Sequence, residues 1–207
     1  SAHVTDLLAR HATALAPAGA TLHAVTAPFG AAYIATPEAA DIACQAVPAA
    51  WQAHLADHAP PDAVLVACFG DPGVAALRAA TDVPVLGLAE VAMREADALA
   101  AADPAGRYAI VTGGAAWGPM LEDLATRLGL RDRLAGVVTV ERTGAELLAD
   151  PPGAQALLLG ACHQALALGG VRAIVIGGAA LADLAAPLAP QVPVPLIDNV
   201  RAGLRAA

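Results

Sequence analysis

Cys68 is the residue of this chain whose local sequence is best suited to chemistry. It stands in the stretch ACFGDPG at 67–73, between an apolar run and a helical pattern. Such a turn would place the thiol at a helix N-terminus, where unpaired N–H groups and the helix dipole favour the thiolate. Asp71 is typical of an N-cap and Pro72 of a first helical position, while Gly70 allows the backbone to approach a ligand closely.

The same turn could also bind an anion. Backbone N–H groups at a helix start bind a carboxylate or an enolate oxygen, so one turn would supply both a base and an oxyanion site. The alternative interpretation is that Cys68 is a small buried residue at the end of a strand, since free cysteine is among the most buried types. The other two cysteines, Cys44 and Cys162, fall inside helical patterns and are interpreted as packing residues. No CxxC occurs, so neither a zinc site nor a disulfide framework is predicted.

A second turn, Thr112-Gly113-Gly114, closes another apolar run and could bind a carboxylate through its hydroxyl and N–H groups. A plain tight turn is the alternative. Trp117 follows this turn and is expected either to line a pocket or to pack under a loop.

Other polar residues have weaker patterns. His54 and His58 have the i,i+4 spacing of metal ligands, but without a third ligand a solvated helix face is the favoured interpretation, and no metal site is predicted. Asp198 is expected to cap the last helix. Glu90 is expected to cap a helix or face solvent.

The composition excludes several classes of function. The chain has 207 residues, is 57% hydrophobic and 14% charged, and carries a formal net charge of −8. High apolar content with low charge predicts a folded protein, and the negative charge argues against nucleic acid or an anionic membrane as partner. No lysine is present, which excludes a Schiff base and a P-loop. The widely spaced cysteines and the absence of a signal-peptide pattern predict a cytoplasmic location.

Short Val/Ile/Leu runs alternate with longer Ala/Leu stretches, which predicts an α/β fold with mostly parallel sheets and helices on both faces. The predicted strands are 20–26, 62–67, 83–87, 107–112, 135–140, 172–177 and 194–197. The predicted helices are 2–16, 37–58, 72–80, 89–102, 117–129, 143–149, 152–168, 180–188 and 199–206.

An internal repeat joins segments 63–91 and 173–200. Aligned without gaps, Cys68 falls on Gly178. The repeat predicts two pseudo-symmetric lobes with the active site in the cleft between them, at the carboxyl ends of the strands. The lobes would comprise residues 1–102 and 103–207, with the C-terminal helix packing back on the first lobe.

The opening helix matches a later one, VTDLLARHA at 4–12 with MLEDLATRL at 120–128. The later helix follows the predicted strand at 107–112, whereas the first half starts at Ser1 without a counterpart. We therefore expect a further strand and loop before Ser1.

Four stretches together resemble the aspartate/glutamate racemase superfamily, and most of all its hydantoin racemase-like branch. They are ACFGDPG, PVLGLAEVA at 84–92, VTGG at 111–114 and PLIDNV at 195–200, and the resemblance runs across essentially the whole chain. It implies cofactor-free chemistry in which two cysteines, one from each lobe, face opposite sides of the substrate carbon. One thiolate removes a proton and the other thiol returns one. Cys68 matches the first, but Gly178 stands where the second is expected.

The resemblance implies that Cys68 transfers a proton at a carbon next to a carboxylate or carbonyl. The substrate would be a small carboxylate or cyclic amide, handled without cofactor or metal, and a homo-oligomer is compatible with the family. The implied substrate-binding residues are Ser1, Phe69, Gly70, Thr112, Gly113, Gly114, Gly177, Gly178 and Ala179.

Gly178 leaves several alternatives open. Another group, or water, could replace the missing acid. The chain could instead be a single-cysteine decarboxylase that resembles arylmalonate decarboxylase with its cysteine in the opposite lobe. It could also be an inactive binder of small carboxylates, and an engineered Cys→Gly change at this position is a further alternative.

Overall fold

The computed structural model describes residues 1–34 and 36–207. Six strands run through this described part of the chain: β1 (Val64–Val66), β2 (Val85–Gly87), β3 (Arg107–Gly113), β4 (Leu134–Val140), β5 (Val171–Gly177) and β6 (Leu196–Asp198). They form two parallel sheets, a smaller one that pairs β1 with β2 and a larger one in the order β4-β3-β5-β6.

Helices connect and cover these strands. The described residues include the helices α1 (Ala2–Leu15), α2 (Pro37–Asp57), α3 (Val74–Ala80), α4 (Leu88–Ala100), α5 (Trp117–Arg127), α6 (Gly144–Ala149), α7 (Pro151–Ala167), α8 (Ala185–Leu188) and α9 (Asn199–Ala206). Among the residues described, no helix combines the length and the apolar character needed to cross a membrane. The predicted α/β class, with parallel sheets and helices on both faces, is confirmed.

The larger sheet has helices on both faces because its strands are apolar on both sides. Successive side chains of a strand point to opposite faces. Tyr108 and Ile110 of β3 therefore pack with α4 and α5, while Ala109 and Val111 pack with α7. All four side chains are fully buried, and burial of a side chain the size of Ile110 contributes about 1.5–3 kcal/mol.

A helix from each half of the repeat packs against the other half. α4 follows β2 of the smaller sheet, yet it packs on β3 and β5, where Met93 and Val175 share one core. α9 follows β6 of the larger sheet and lies against α4 and β2. Gly203 allows this approach, because a Cβ there would lie 2.7 Å from Leu88 Cδ1. The division of the chain into two lobes stays a prediction.

The strand predicted at 20–26 is wrong, because these residues are exposed and pair with neither sheet. The match between the opening helix and α5 makes this segment the counterpart of β4, which pairs with β3. The described part of the first half contains no counterpart of β3. Without a neighbouring strand, the backbone groups of this segment have no ladder to join.

Two helix boundaries also differ from the prediction. The helix expected from position 72 begins at Val74, with Gly73 as its N-cap at a φ of 72°, so Asp71 does not cap it. The helix expected at 180–188 is divided into a 3₁₀ turn at Ala179–Leu181 and α8. Asp183, whose φ of 67° lies in the left-handed region, interrupts the helical path between them.

Candidate active site

A cavity of about 830 Å³ lies at the carboxyl ends of β1, β3 and β5. Eight of the residues predicted for the site line it: Ser1, Cys68, Phe69, Thr112, Gly113, Gly177, Gly178 and Ala179. The other two, Gly70 and Gly114, lie against the indole of Trp117, which itself lines the cavity. The structure thus brings together the turns that the repeat placed at equivalent positions.

Cys68 is partly accessible to the cavity but shielded from bulk solvent. Its carbonyl accepts hydrogen bonds from the N–H groups of Gly70 and Asp71, at 2.9 and 3.0 Å, which makes the chain turn sharply after β1. Burial, and next the nearby Asp71 carboxylate, raise the pKa of the thiol to about 12. The expected stabilisation of the thiolate by a helix N-terminus is therefore wrong, because α3 begins only at Val74.

Asp71 caps α4 instead of the helix that follows it in sequence. Its two carboxylate oxygens accept hydrogen bonds from the N–H groups of Ala89 and Glu90, at 2.8 and 2.7 Å. Gly87 makes room for this carboxylate, since a Cβ there would overlap it. Burial raises the pKa of Asp71 to about 6, against the opposing effect of these two hydrogen bonds. One carboxylate thereby fixes the thiol-bearing turn to the start of α4.

Gly177 joins the turn after β1 to the turn after β5. The Phe69 ring, which is 4% exposed, occupies the space where a Cβ of Gly177 would stand. The Thr112 hydroxyl donates a 2.7 Å hydrogen bond to the Gly177 carbonyl across the β3–β5 pair. Since that proton is already used, Thr112 would have to break this bond to donate to a ligand.

Gly178 adopts a backbone conformation that other residues rarely adopt. Its φ of 129° and ψ of 127° are readily available only to glycine. The side chain of Asn199 stabilises the turn, because its Nδ2 donates hydrogen bonds to the carbonyls of Ile176 and Gly178, at 2.7 and 3.2 Å. The position of the expected second thiol is therefore bare backbone on the cavity wall.

Tyr33 is a cavity residue that the sequence patterns did not single out. Its hydroxyl donates a long hydrogen bond, 3.4 Å, to the Gly113 carbonyl at the end of β3. It reaches the cavity from an irregular segment that carries no recognised motif. The only available signal was its rarity, as the chain has two tyrosines in all.

The cavity wall carries no charged side chain of Asp, Glu or Arg among the residues described, and the chain has no lysine. Its polar groups are hydroxyls and imidazoles, such as those of Tyr33, Thr112 and His54. Most of the remaining lining is apolar, with large side chains such as Phe29 and Trp51.

The other predicted candidates lie in structural roles. Cys44 is exposed on α2, and Cys162 is a residue of α7 that is buried in the core. Asp198 caps α9, as predicted, by accepting hydrogen bonds from Val200 and Arg201.

Three further predicted positions can also be placed. The carboxylate of Glu90 is buried and paired with Arg78 and Arg94, each at 2.9 Å, so the expectation that it caps a helix or faces solvent is wrong. The rings of His54 and His58 stack with centroids 4.6 Å apart. Within the described ranges, no group of three or more His, Cys, Asp or Glu residues is arranged to hold a metal ion.

Comparison with known proteins identifies the family. The family model for Asp/Glu/hydantoin racemases matches residues 1–207. A hydantoin racemase from Pseudomonas sp. (strain NS671) is 35% identical over 146 residues, which cover 70% of this chain and 57% of that protein. The chain thus matches less than two thirds of the length of this relative.

Two solved structures of allantoin racemases are similar along the whole chain. The enzyme from Klebsiella pneumoniae is 29% identical with a TM-score of 0.87, covering 100% of this chain and 81% of its own. The enzyme from Pseudomonas fluorescens is 27% identical with a TM-score of 0.90, covering 99% and 84%. From the family match over its full length, the chain belongs to the Asp/Glu/hydantoin racemase family.

Proposed function

We propose that this protein racemises a small cyclic amide of the hydantoin type, without a cofactor, by proton transfer at the carbon next to a carbonyl. The observation that carries the proposal is the Cys68 thiol at a strand end, facing a cavity that no Asp, Glu or Arg side chain of the described residues lines. The relative named hydantoin racemase and the two allantoin racemase structures support this reaction class.

The lining of the cavity favours a neutral substrate over a free amino acid. An amino acid would bring a carboxylate and an ammonium group against walls that offer no opposite side-chain charge, and burial of an unpaired charge is costly. A hydantoin ring carries only amide N–H and C=O groups, which the hydroxyls and turn amides can meet. Its substituent would lie against apolar side chains such as Phe29 and Trp51.

Cys68 would act in both directions of the reaction. With its pKa raised to about 12, the thiol is protonated at neutral pH, which is the state that gives a proton to an enolate. The small fraction of thiolate is a strong base, and it starts the reaction by removing the substrate proton, which forms the enolate. The turn amides at Gly178 and Ala179 are the proposed partners of the enolate oxygen.

The remaining expectations belong to the same proposal. The partner is a small molecule, with neither nucleic acid nor membrane involved, and the location is the cytoplasm. A homo-oligomer is compatible with the family membership. The substrate-binding roles of the cavity residues stay predictions.

Solvent exchange tests the function. The purified protein would be incubated in D₂O with one enantiomer of a hydantoin that carries an apolar 5-substituent. We expect loss of optical rotation together with deuterium at the ring carbon. Cys68→Ala should slow both by about 10²–10⁴-fold, because a positioned acid–base group is lost. Cys44→Ala removes an exposed thiol outside the cavity and should leave both rates unchanged.

Three outcomes would contradict the proposal. Full activity of Cys68→Ala would exclude the thiol as the acid–base group. Release of CO₂ from a malonate-type acid, without exchange of any hydantoin, would favour the single-cysteine decarboxylase. Binding of a small carboxylate without turnover of any candidate substrate would favour the inactive binder.

A further inference from the structure

The cavity wall formed by the turns after β3 and β5 lacks a thiol but carries a phenol. Thr112 and Gly177 are register partners in the β3–β5 pair, so Gly113 and Gly178 follow side by side. Neighbouring strands lie about 4.8 Å apart. The Tyr33 hydroxyl, 3.4 Å from the Gly113 carbonyl, therefore lies at the end of the strand next to the one that leads to Gly178, where the repeat leads one to expect the second acid–base group.

The Tyr33 hydroxyl is available to a ligand. An O–H···O hydrogen bond is normally 2.5–3.0 Å long, so the 3.4 Å contact with Gly113 is weak. Tyr33 lines the cavity and is only partly buried, and its aromatic ring packs against the core that also contains Phe69 and Trp117. The ring is held in place, the hydroxyl oxygen lies within hydrogen-bonding reach of Trp117 and Gly144, and the bond that the hydroxyl donates to Gly113 is weak.

Trp117 connects the two groups physically. Its indole lies against Gly70, two residues after Cys68, and against Gly114, beside which the Tyr33 hydroxyl stands. A larger residue in place of Gly70 or Gly114 would displace the Trp117 indole. Burial raises the pKa of the Tyr33 phenol, and negative charge on Glu146 and Cys68 raises it further, whereas Trp117 and Gly144 oppose the shift. Like the thiol, the phenol keeps its proton at neutral pH.

We propose that Tyr33 is the second acid–base group of this racemase, acting from the wall where Gly178 presents only backbone. This role rests on the proposed function. It explains how a chain with one thiol in its cavity can serve both faces of the substrate carbon. It also explains why a glycine is tolerated at the position of the second cysteine.

The proton transfers balance as follows. The cycle starts from the minor form in which water has taken the Cys68 proton while Tyr33 keeps its own. The Cys68 thiolate then takes the proton from the ring carbon, so that the C–H bond breaks, an S–H bond forms and the electron pair moves onto the carbonyl as an enolate. The enolate then forms a new C–H bond on the other face with the Tyr33 proton, leaving a tyrosinate. Water carries a proton from the thiol to the tyrosinate and restores the starting state. The opposite enantiomer follows the same steps in reverse.

The test compares Tyr33→Phe with wild type for each enantiomer of the hydantoin in D₂O. We expect racemisation to fall by about 10²–10⁴-fold in both directions. The enantiomer whose hydrogen faces Cys68 should still exchange it for deuterium with its configuration retained. The other enantiomer, whose hydrogen faces Tyr33, should lose deuterium exchange together with racemisation. Tyr108→Phe is the matched control, because this buried tyrosine lies outside the cavity and bonds to Leu130, so its loss should leave all rates unchanged.

Unchanged racemisation by Tyr33→Phe would overturn the role of Tyr33 and leave the proposed function intact. Equal loss of exchange for both enantiomers with a raised KM would also overturn it, since a residue that only binds substrate has no preferred face. Absence of any Cys68-dependent exchange in wild type would instead overturn the proposed function, and the role of Tyr33 with it.

Discussion

The turns after β1 and β5 occupy equivalent places in the internal repeat but hold different chemistry. The first presents the Cys68 thiol, and the second presents only the backbone of Gly178. Each turn also holds one aspartate in the left-handed region, Asp71 at a φ of 52° and Asp183 at 67°. Asp71 stands three residues after Cys68 and Asp183 five residues after Gly178, so the two halves share a left-handed aspartate near the turn but neither the same backbone path nor the same chemical group.

The two halves also anchor their turns from opposite directions. In the first half, Asp71 extends from the turn to the start of α4, into space left by Gly87. In the second half, Asp198 stands at the repeat position of Gly87, caps α9 and accepts a 2.8 Å hydrogen bond from the N–H of Asp183. One carboxylate links turn and helix in each half, but only Asp71 contributes to the raised pKa of a thiol, that of Cys68.

Asp71→Asn gives the largest expected effect, and it concerns the pH dependence of stability. The pKa of Asp71 is about 6 in the folded protein, above its ordinary 3.8, so its contribution to stability is complete below pH 3.8 and is lost as the pH rises to about 6. The difference between the two values corresponds to about 3 kcal/mol. The variant, which is uncharged throughout, should lack this loss in urea unfolding measured from pH 4 to 7.

Asp103→Asn is the control for this measurement. Asp103 is exposed, and its pKa is lowered by the N–H of Ala105 and by Arg172, so its contribution has the opposite sign and falls at acid pH. Its replacement should leave the loss between pH 4 and 6 in place. An identical pH dependence for Asp71→Asn and wild type would show that Asp71 is not a buried carboxyl.

Gly177→Ala should force the two turns apart. The added methyl group would overlap the Phe69 ring, and overpacking of this kind typically costs about 1–3 kcal/mol. Both the free energy of unfolding and racemase activity should fall, as measured by urea unfolding and polarimetry. Gly118→Ala, on α5, is the matched control. Its methyl group would contact only Thr139, at 3.9 Å. Equal stability of the two variants would mean that Phe69 does not join the turns.

Alkylation by iodoacetamide compares the thiol of the first turn with an exposed one. At pH 7.5, a pKa of about 12 in place of 9.0 lowers the thiolate fraction of Cys68 by about 10³. A thiolate of higher pKa is also a stronger nucleophile, which restores part of the reaction rate. We expect Cys68 to react about 30-fold more slowly than the exposed Cys44, as resolved by peptide mass spectrometry. Faster reaction at Cys68 would contradict the raised pKa and indicate an activated thiolate.

Gly178→Ala gives the smallest expected effect. A side chain at a φ of 129° is strained, and its Cβ would lie 3.3 Å from Leu181 Cγ, so stability should fall by about 1 kcal/mol or more. Gly160→Ala, in α7 with nothing within 4 Å, should instead raise stability by up to about 1 kcal/mol. Calorimetry would measure both. A neutral or stabilising Gly178→Ala would show that the turn accommodates an ordinary residue, and Gly178→Cys could then be tested for faster racemisation.

The local patterns predicted much of the fold. Strands β1 to β6 and most helices lie within a few residues of their predicted positions, because hydrophobic periodicity is a local property. The strand at 20–26 was wrong because a strand depends on a neighbour that the pattern does not supply. The cap assigned to Asp71 was wrong because the carboxylate reaches a helix eighteen residues further along the chain.

The sequence by itself determined which groups are available: one thiol in a strand-end turn, glycine at the equivalent position, and no lysine. Only the tertiary structure decided that Tyr33 lies beside the turn after β3, that burial keeps Cys68 protonated, and that no Asp, Glu or Arg side chain of the described residues lines the cavity. The reason is physical. Residue types and their spacing are written in the chain, whereas proximity and desolvation arise only when distant segments pack together.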